Sequence, residues 1–126
     1  MYEIGVIDEF EAAHALTGDF GPAARLHGHT YRVEVRVAAR AADATGAIYD
    51  IGKLRAGLRA VLEELHYRNL NDVAELAGVN TTAEMVARHI FERIEPPLRS
   101  ASLAGLKVTV WESPSVFASY REEFEP

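Results

Sequence analysis

Three histidines hold the densest chemistry in the chain: His14, His27 and His29, with Gly28 between the last two. At i and i+2 on an extended strand, His27 and His29 point to one face. His14 shares a parity with Phe10 and Ala12 in the alternating run FEAAH. A short connection, Leu16 to Leu26, allows two such strands to meet as a hairpin and bring the three imidazoles together. Three nitrogen ligands with one coordination position open are the donor set of a catalytic zinc, with Zn–N bonds of about 2.0–2.1 Å. An HxH pair alone is more often two ordinary histidines on a half-apolar strand than a metal site, and His14 strengthens the metal reading. His66 and His89 lack such partners, and His89 falls within a helical pattern as a structural or solvated residue.

Other candidates surround the triad. Glu112 continues the parity of Leu106, Val108 and Val110, so a carboxylate ends an apolar stripe. It reads either as a solvated strand terminus or as an anchor that accepts two N–H bonds from the amidine-like edge of a heterocycle. Asp19, between the two histidine-bearing segments, is either a base reaching the metal or a turn residue. His66 and Tyr67 follow a helical stretch and are candidate acid/base groups, although a histidine there also suits the negative end of a helix dipole. Arg68 is either an anion ligand or surface coat.

The elements that must position these groups follow from periodicity. A first strand is expected over about Tyr2 to Ala15, with a phase change before Phe10 that predicts a bulge. Gly18, Gly21 and Pro22 mark a turn. Tyr31, Val33, Val35 and Val37 then alternate with Arg32, Glu34 and Arg36, and His27 and His29 extend the apolar parity. Asp50 is a good N-cap for a helix with Ile51, Leu54, Leu58, Val61, Leu62 and Leu65 on one face. Thr81 and Glu84 read as a capping box for a second helix, which Pro96–Pro97 should stop. Strands over Leu106–Glu112 and about Val116–Phe124 complete a ββααββ order. That order predicts an α+β domain spanning residues 1–126, an antiparallel sheet with two helices on one face. Its long edges call for partners, so homo-oligomerisation is expected.

Composition narrows the function. A net charge of −6 with scattered Lys and Arg disfavours nucleic acid and anionic membranes as partners. The chain contains no cysteine, which removes disulfides, thiolate ligands and a cysteine nucleophile. No apolar stretch approaches the roughly 20 residues of a spanning helix, and a cytoplasmic location is expected.

Taken in order, FEAAH, LHGHTYRVEV, YDIGKL, YRNLND, NTTAEMVARHI and VTVWES resemble the 6-pyruvoyltetrahydropterin synthase / 6-carboxytetrahydropterin synthase family. The resemblance covers nearly the whole chain. It implies a tunnelling fold, in which sheets close into a barrel about a threefold axis, usually as a hexamer built from trimers with sites between subunits. It implies that His14, His27 and His29 are zinc ligands and that Glu112 holds the pterin's aminopyrimidinone edge. Arg68 and Thr82 are the further candidates for substrate contacts. The catalytic apparatus departs from the family pattern. Ala23 stands where members usually place a cysteine, and His66–Tyr67 stand where members have an Asp–His pair.

All three proton-transfer groups differ together. The expectation is therefore a zinc-dependent lyase or isomerase on a small pterin-like or hydroxy-carbonyl compound, with an altered reaction: retro-aldol cleavage, elimination or keto–enol isomerisation. His66, Tyr67 and Asp19 are the candidates to move protons. Two alternatives stand beside it. One is a true 6-carboxytetrahydropterin synthase acting in queuosine or deazapurine biosynthesis. The other is a non-catalytic module that binds a pterin-like ligand.

Overall fold

The alternation in the first third of the chain folds into a long hairpin. In a computed structural model, which describes residues 1–125, β1 (Tyr2–His14) pairs antiparallel with β2 (His27–Ala39). The register runs unbroken from Tyr2 opposite Ala39 to His14 opposite His27. Two helices follow, α1 (Ile51–Glu63) and, after a two-residue strand β3 (Arg68–Asn69), α2 (Ala83–Ile94). A single turn, α3 (Pro96–Arg99), leads into β4 (Gly105–Ser113) and β5 (Val116–Glu123). The sheet order is β3-β1-β2-β4-β5.

The helices lie on one face, α1 against β1 and α2 against β4 and β5. Between helices and sheet sits the core, in which Phe10, Tyr31, Leu58, Leu62, Leu65, Ile90 and Phe91 are fully buried. Burying each such leucine or phenylalanine stabilises the fold by about 1.5–3 kcal/mol relative to exposure. Asp50 caps α1 as expected, its side chain accepting from the Lys53 amide at 3.2 Å.

Three expectations change. No bulge interrupts β1 among the described residues: Tyr2, Ile4, Val6, Phe10, Ala12 and His14 share one parity, and Asp8 alone breaks the apolar row. Asp8 is tolerated on the inward parity because Arg59 of α1 donates to both of its carboxylate oxygens at 3.1 Å. The sheet is not wholly antiparallel, since β3 pairs parallel with β1 through Ala12–Arg68 and Ala13–Asn69. Thr82, not Thr81, caps α2, its hydroxyl accepting from the Met85 amide at 3.3 Å. As expected, α2 ends at Ile94, just ahead of Pro96–Pro97; the two prolines then open α3, where a proline's missing N–H falls among amides that have no helical partner.

Candidate metal centre

The unbroken hairpin register places the histidines. His14 and His27 are direct cross-strand partners, and His29 lies opposite Ala12 two residues along the same face. The three rings stand edge to face, with centroids 4.5 Å apart for His14–His27, 5.1 Å for His14–His29 and 4.8 Å for His27–His29. One ring nitrogen from each lies within 4.8 Å of the others.

Hydrogen bonds to the opposite ring nitrogens orient two of these imidazoles. His14 Nδ1 donates to the Thr81 carbonyl at 2.8 Å, and His27 Nδ1 donates to the Arg25 carbonyl at 2.7 Å. A donating Nδ1–H leaves the Nε2 lone pair free, which is how metal-binding histidines are generally held. Nε2 of His14 and of His29 are buried with no hydrogen-bond partner among the described residues. Burial is the main influence lowering the His14 pKa, with the like charges of His27 and His29 adding to it, while the Thr81 contact and Glu112 oppose it. The ring is thus biased toward the neutral form that a metal requires. Donor type, tautomer and orphaned nitrogens all fit a bound zinc ion.

A second layer supports the triad. Thr81 is fully buried, and its hydroxyl lies 3.3 Å from His14 Nδ1. The Asn71 side chain accepts from the Ala15 amide at 2.9 Å and donates to the Ala15 carbonyl at 3.2 Å, with a further contact to the Thr81 hydroxyl at 3.4 Å. Asn80 clamps Thr17 in the same way. Sequence reasoning missed this layer; the NLN and NTT segments carried the residues, but nothing in their spacing said that they would meet the end of β1.

Glu112 lies where the β4–β5 ladder slips by one residue, between Trp111 opposite Phe117 and Ser113 opposite Val116. The bulge expected in β1 is found here instead. Glu112 sits one step beyond the last β2–β4 pair, Arg32–Trp111, across from Tyr31. It is half-buried, and its charge acts on both His14 and Tyr31.

The remaining candidates distribute unevenly. Tyr67, Arg68 and His29 line one cleft of about 580 Å³, together with Glu11, Gly28 and Asn69. Tyr67 is 77% exposed and has a left-handed backbone, φ 58°. His66 is committed on one side, because its Nδ1 accepts from the Glu11 amide at 3.1 Å. Asp19 is an exposed loop residue that does not line this cleft, and Thr82 is occupied as the α2 cap. Ala23 is half-buried in the 3₁₀ turn Gly21–Ala24, its carbonyl accepting from the Leu16 amide at 3.0 Å.

An α+β tunnelling fold with a histidine triad at the end of its long hairpin defines the class. The family described as 6-pyruvoyl tetrahydropterin synthase matches residues 3–123, and the chain belongs to that family. A Caenorhabditis elegans 6-pyruvoyl tetrahydropterin synthase structure superposes with a TM-score of 0.82 at 28% identity, over 96% of this chain and 95% of that one. A 6-carboxy-5,6,7,8-tetrahydropterin synthase from a Synechocystis species is 35% identical over 117 residues, 88% of this chain and 86% of the relative. A dihydroneopterin monophosphate aldolase from Pyrococcus furiosus is 34% identical over 103 residues, 82% of each chain. No helix among the described residues is long and apolar enough to cross a membrane.

Proposed function

We propose that this protein is a zinc-dependent lyase that cleaves the polyhydroxylated side chain of a 7,8-dihydropterin by a retro-aldol reaction. The observation that carries the reading is a complete histidine triad, two of its Nε2 atoms buried and unpartnered, in a chain with no cysteine. The candidate zinc ligands and the candidate pterin anchor Glu112 remain, while Ala23 stands where the family resemblance places a thiol. An aldolase needs no thiol, and the 34% identical relative named as an aldolase favours that branch of the family.

His14, His27 and His29 would hold the metal, which when bound supplies Lewis-acid polarisation of a side-chain oxygen. Glu112 accepts two charge-assisted hydrogen bonds from the amino and ring N–H groups of the heterocycle and so fixes its orientation. Tyr67 relays the proton of the C2′ hydroxyl, its phenol giving up its own proton to C1′ as it receives that one. The adjacent C1′–C2′ bond breaks, its electron pair moves into the conjugated C6=N5 system of the ring, and C1′ then takes the proton that Tyr67 passes on. The products are a hydroxymethyl-dihydropterin and a two-carbon aldehyde. Arg68, on the same cleft, suits a phosphate on the leaving fragment.

The deciding experiment incubates zinc-loaded protein with 7,8-dihydroneopterin and its monophosphate and identifies the products. The expected result is 6-hydroxymethyl-7,8-dihydropterin plus glycolaldehyde or its phosphate, abolished by chelation and restored by zinc. The 35% identical synthase relative keeps a second reading open. Turnover of dihydroneopterin triphosphate to 6-carboxytetrahydropterin, without aldol products, would replace the proposal with that activity. Tight binding of all three without turnover would identify a binding module.

A further inference from the structure

Of the glycines in strands among the described residues, Gly28 alone is not required by the packing around it. A Cβ at Gly5 of β1 would come within 3.1 Å of the Val35 carbonyl oxygen, and one at Gly105 of β4 within 3.3 Å of the Glu122 carbonyl oxygen. Neighbouring backbone accounts for both. At Gly28 of β2 a Cβ would meet only the Ala12 carbonyl oxygen, at an ordinary 3.6 Å, and the backbone is not left-handed. Alanine would fit there, and glycine in a strand interior is the less stable choice.

Gly28 lines the cleft of about 580 Å³ shared with His29, Tyr67 and Arg68. Directly across the hairpin stands Ala13, also in the lining, so two small residues face each other and leave the strands bare. One step along, the Thr30 hydroxyl donates to Glu11 Oε1 at 3.2 Å, and both residues line the same cleft. Tyr67, in the same lining, holds its left-handed backbone. Two departures from what the fold alone favours therefore meet at one cleft, beside a member of the triad. A strand glycine marks the close approach of another backbone or of a ligand. Here no backbone presses on it, which leaves the ligand. Tyr67 and Arg68 attend the substrate's side chain in the proposed reaction, so the part that crosses Gly28 is that chain.

Resting on the pterin reading, we propose that Gly28 is a specificity-determining residue: its missing side chain keeps the floor of the cleft low enough for the hydroxylated C6 side chain of a dihydropterin to lie against β2. Glu112 selects the heterocycle, and the bare strand selects the chain attached to it.

The test compares zinc-loaded wild type, Gly28→Ala and Gly28→Val with two probes, 7,8-dihydroneopterin and 6-methyl-7,8-dihydropterin, whose side chain is a single methyl. Binding is followed by stopped-flow mixing, ahead of turnover. Gly28→Ala should bind 7,8-dihydroneopterin about tenfold more weakly, and Gly28→Val more weakly still, because each added carbon takes space that the chain would fill. Both variants should bind 6-methyl-7,8-dihydropterin as wild type does. Zinc content should be unchanged, and the thermal midpoint of Gly28→Ala should equal or exceed that of wild type, since the added Cβ clashes with nothing. A lower midpoint or a loss of zinc in Gly28→Ala would show that the glycine serves the fold or the metal, and would overturn the assignment. So would unchanged affinity for 7,8-dihydroneopterin, or equal weakening for both probes. If wild type binds neither probe, the pterin reading itself fails and the role of Gly28 fails with it. Binding of both probes by all three proteins alike sinks the Gly28 role alone.

Discussion

Tyr67 combines features that rarely coexist in a structural residue. A bulky side chain at φ 58° is strained by about 1–3 kcal/mol, and the ring is largely exposed. Two contacts hold it there: its amide donates to the Glu11 carbonyl at 2.6 Å, and its ring leans on His66 with centroids 3.9 Å apart. His66 is itself pinned through Nδ1, so the pair behaves as a fixed platform that lifts the phenol into the cleft shared with His29. Tyr67→Phe keeps the stacking and the backbone bond while removing the hydroxyl. Aldol cleavage by this variant should fall in kcat by about 10²–10⁴-fold with zinc content and thermal midpoint unchanged. Steady-state kinetics beside metal analysis checks it, and an unaltered kcat would overturn the proton-transfer role of Tyr67.

At the scale of elements, α2 serves the candidate site through the two residues that precede it and stability through its middle. Adjacent threonines divide the work: Thr82 caps the helix, while Thr81 turns its carbonyl and hydroxyl toward His14. The start of this helix thereby ties the histidine triad to the packing of the sheet. Farther along, His89 is buried, and burial is the largest influence lowering its pKa from 6.5; Arg93 adds to it, and Glu75, Glu64 and Glu92 oppose it. With the folded-state pKa depressed, the unfolded chain binds the extra proton. Stability is therefore greatest above pH 6.5 and declines as pH falls from there toward the folded pKa. His14 is shifted in the same direction and contributes the same sign. Urea unfolding of metal-free protein should show a lower midpoint at about pH 5.5 than at about pH 7.5. His89→Gln should shrink that difference, and an unchanged pH slope in the variant would exclude His89 as a source.

For the whole molecule, the sheet ends in a two-residue strand on one side and β5 on the other. The face opposite the helices carries Ile7, 47% exposed, and Phe117, 60% exposed, the latter against Trp111 at 5.6 Å. An open β5 edge and a sheet face without helices are surfaces that a second copy can cover. We propose a trimer-based assembly, the arrangement that resemblance to the tunnelling-fold family implies. Light scattering coupled to size exclusion should return a mass that is a multiple of three chains, and a monomer would overturn it.

Much of this protein was legible in its residues because periodicity is a local property. Alternation in Tyr31–Val37 and the spacing of Leu54, Leu58, Val61 and Leu62 required the hairpin and first helix, and parity alone placed His27 and His29 on the buried face. The triad and the position of Glu112 at the end of an apolar stripe followed from the same arithmetic. Contacts between distant segments were not legible. A strand of two residues has no period, so β3 and the Tyr67 platform beside Glu11 left no pattern to read. The bulge at Glu112, the separate duties of Thr81 and Thr82, and the unpartnered Nε2 atoms of His14 and His29 depend on which segments pack together and in what register. Spacing along the chain determined which side chains share a face; only tertiary packing decided which polar atoms were satisfied and which were left free to bind.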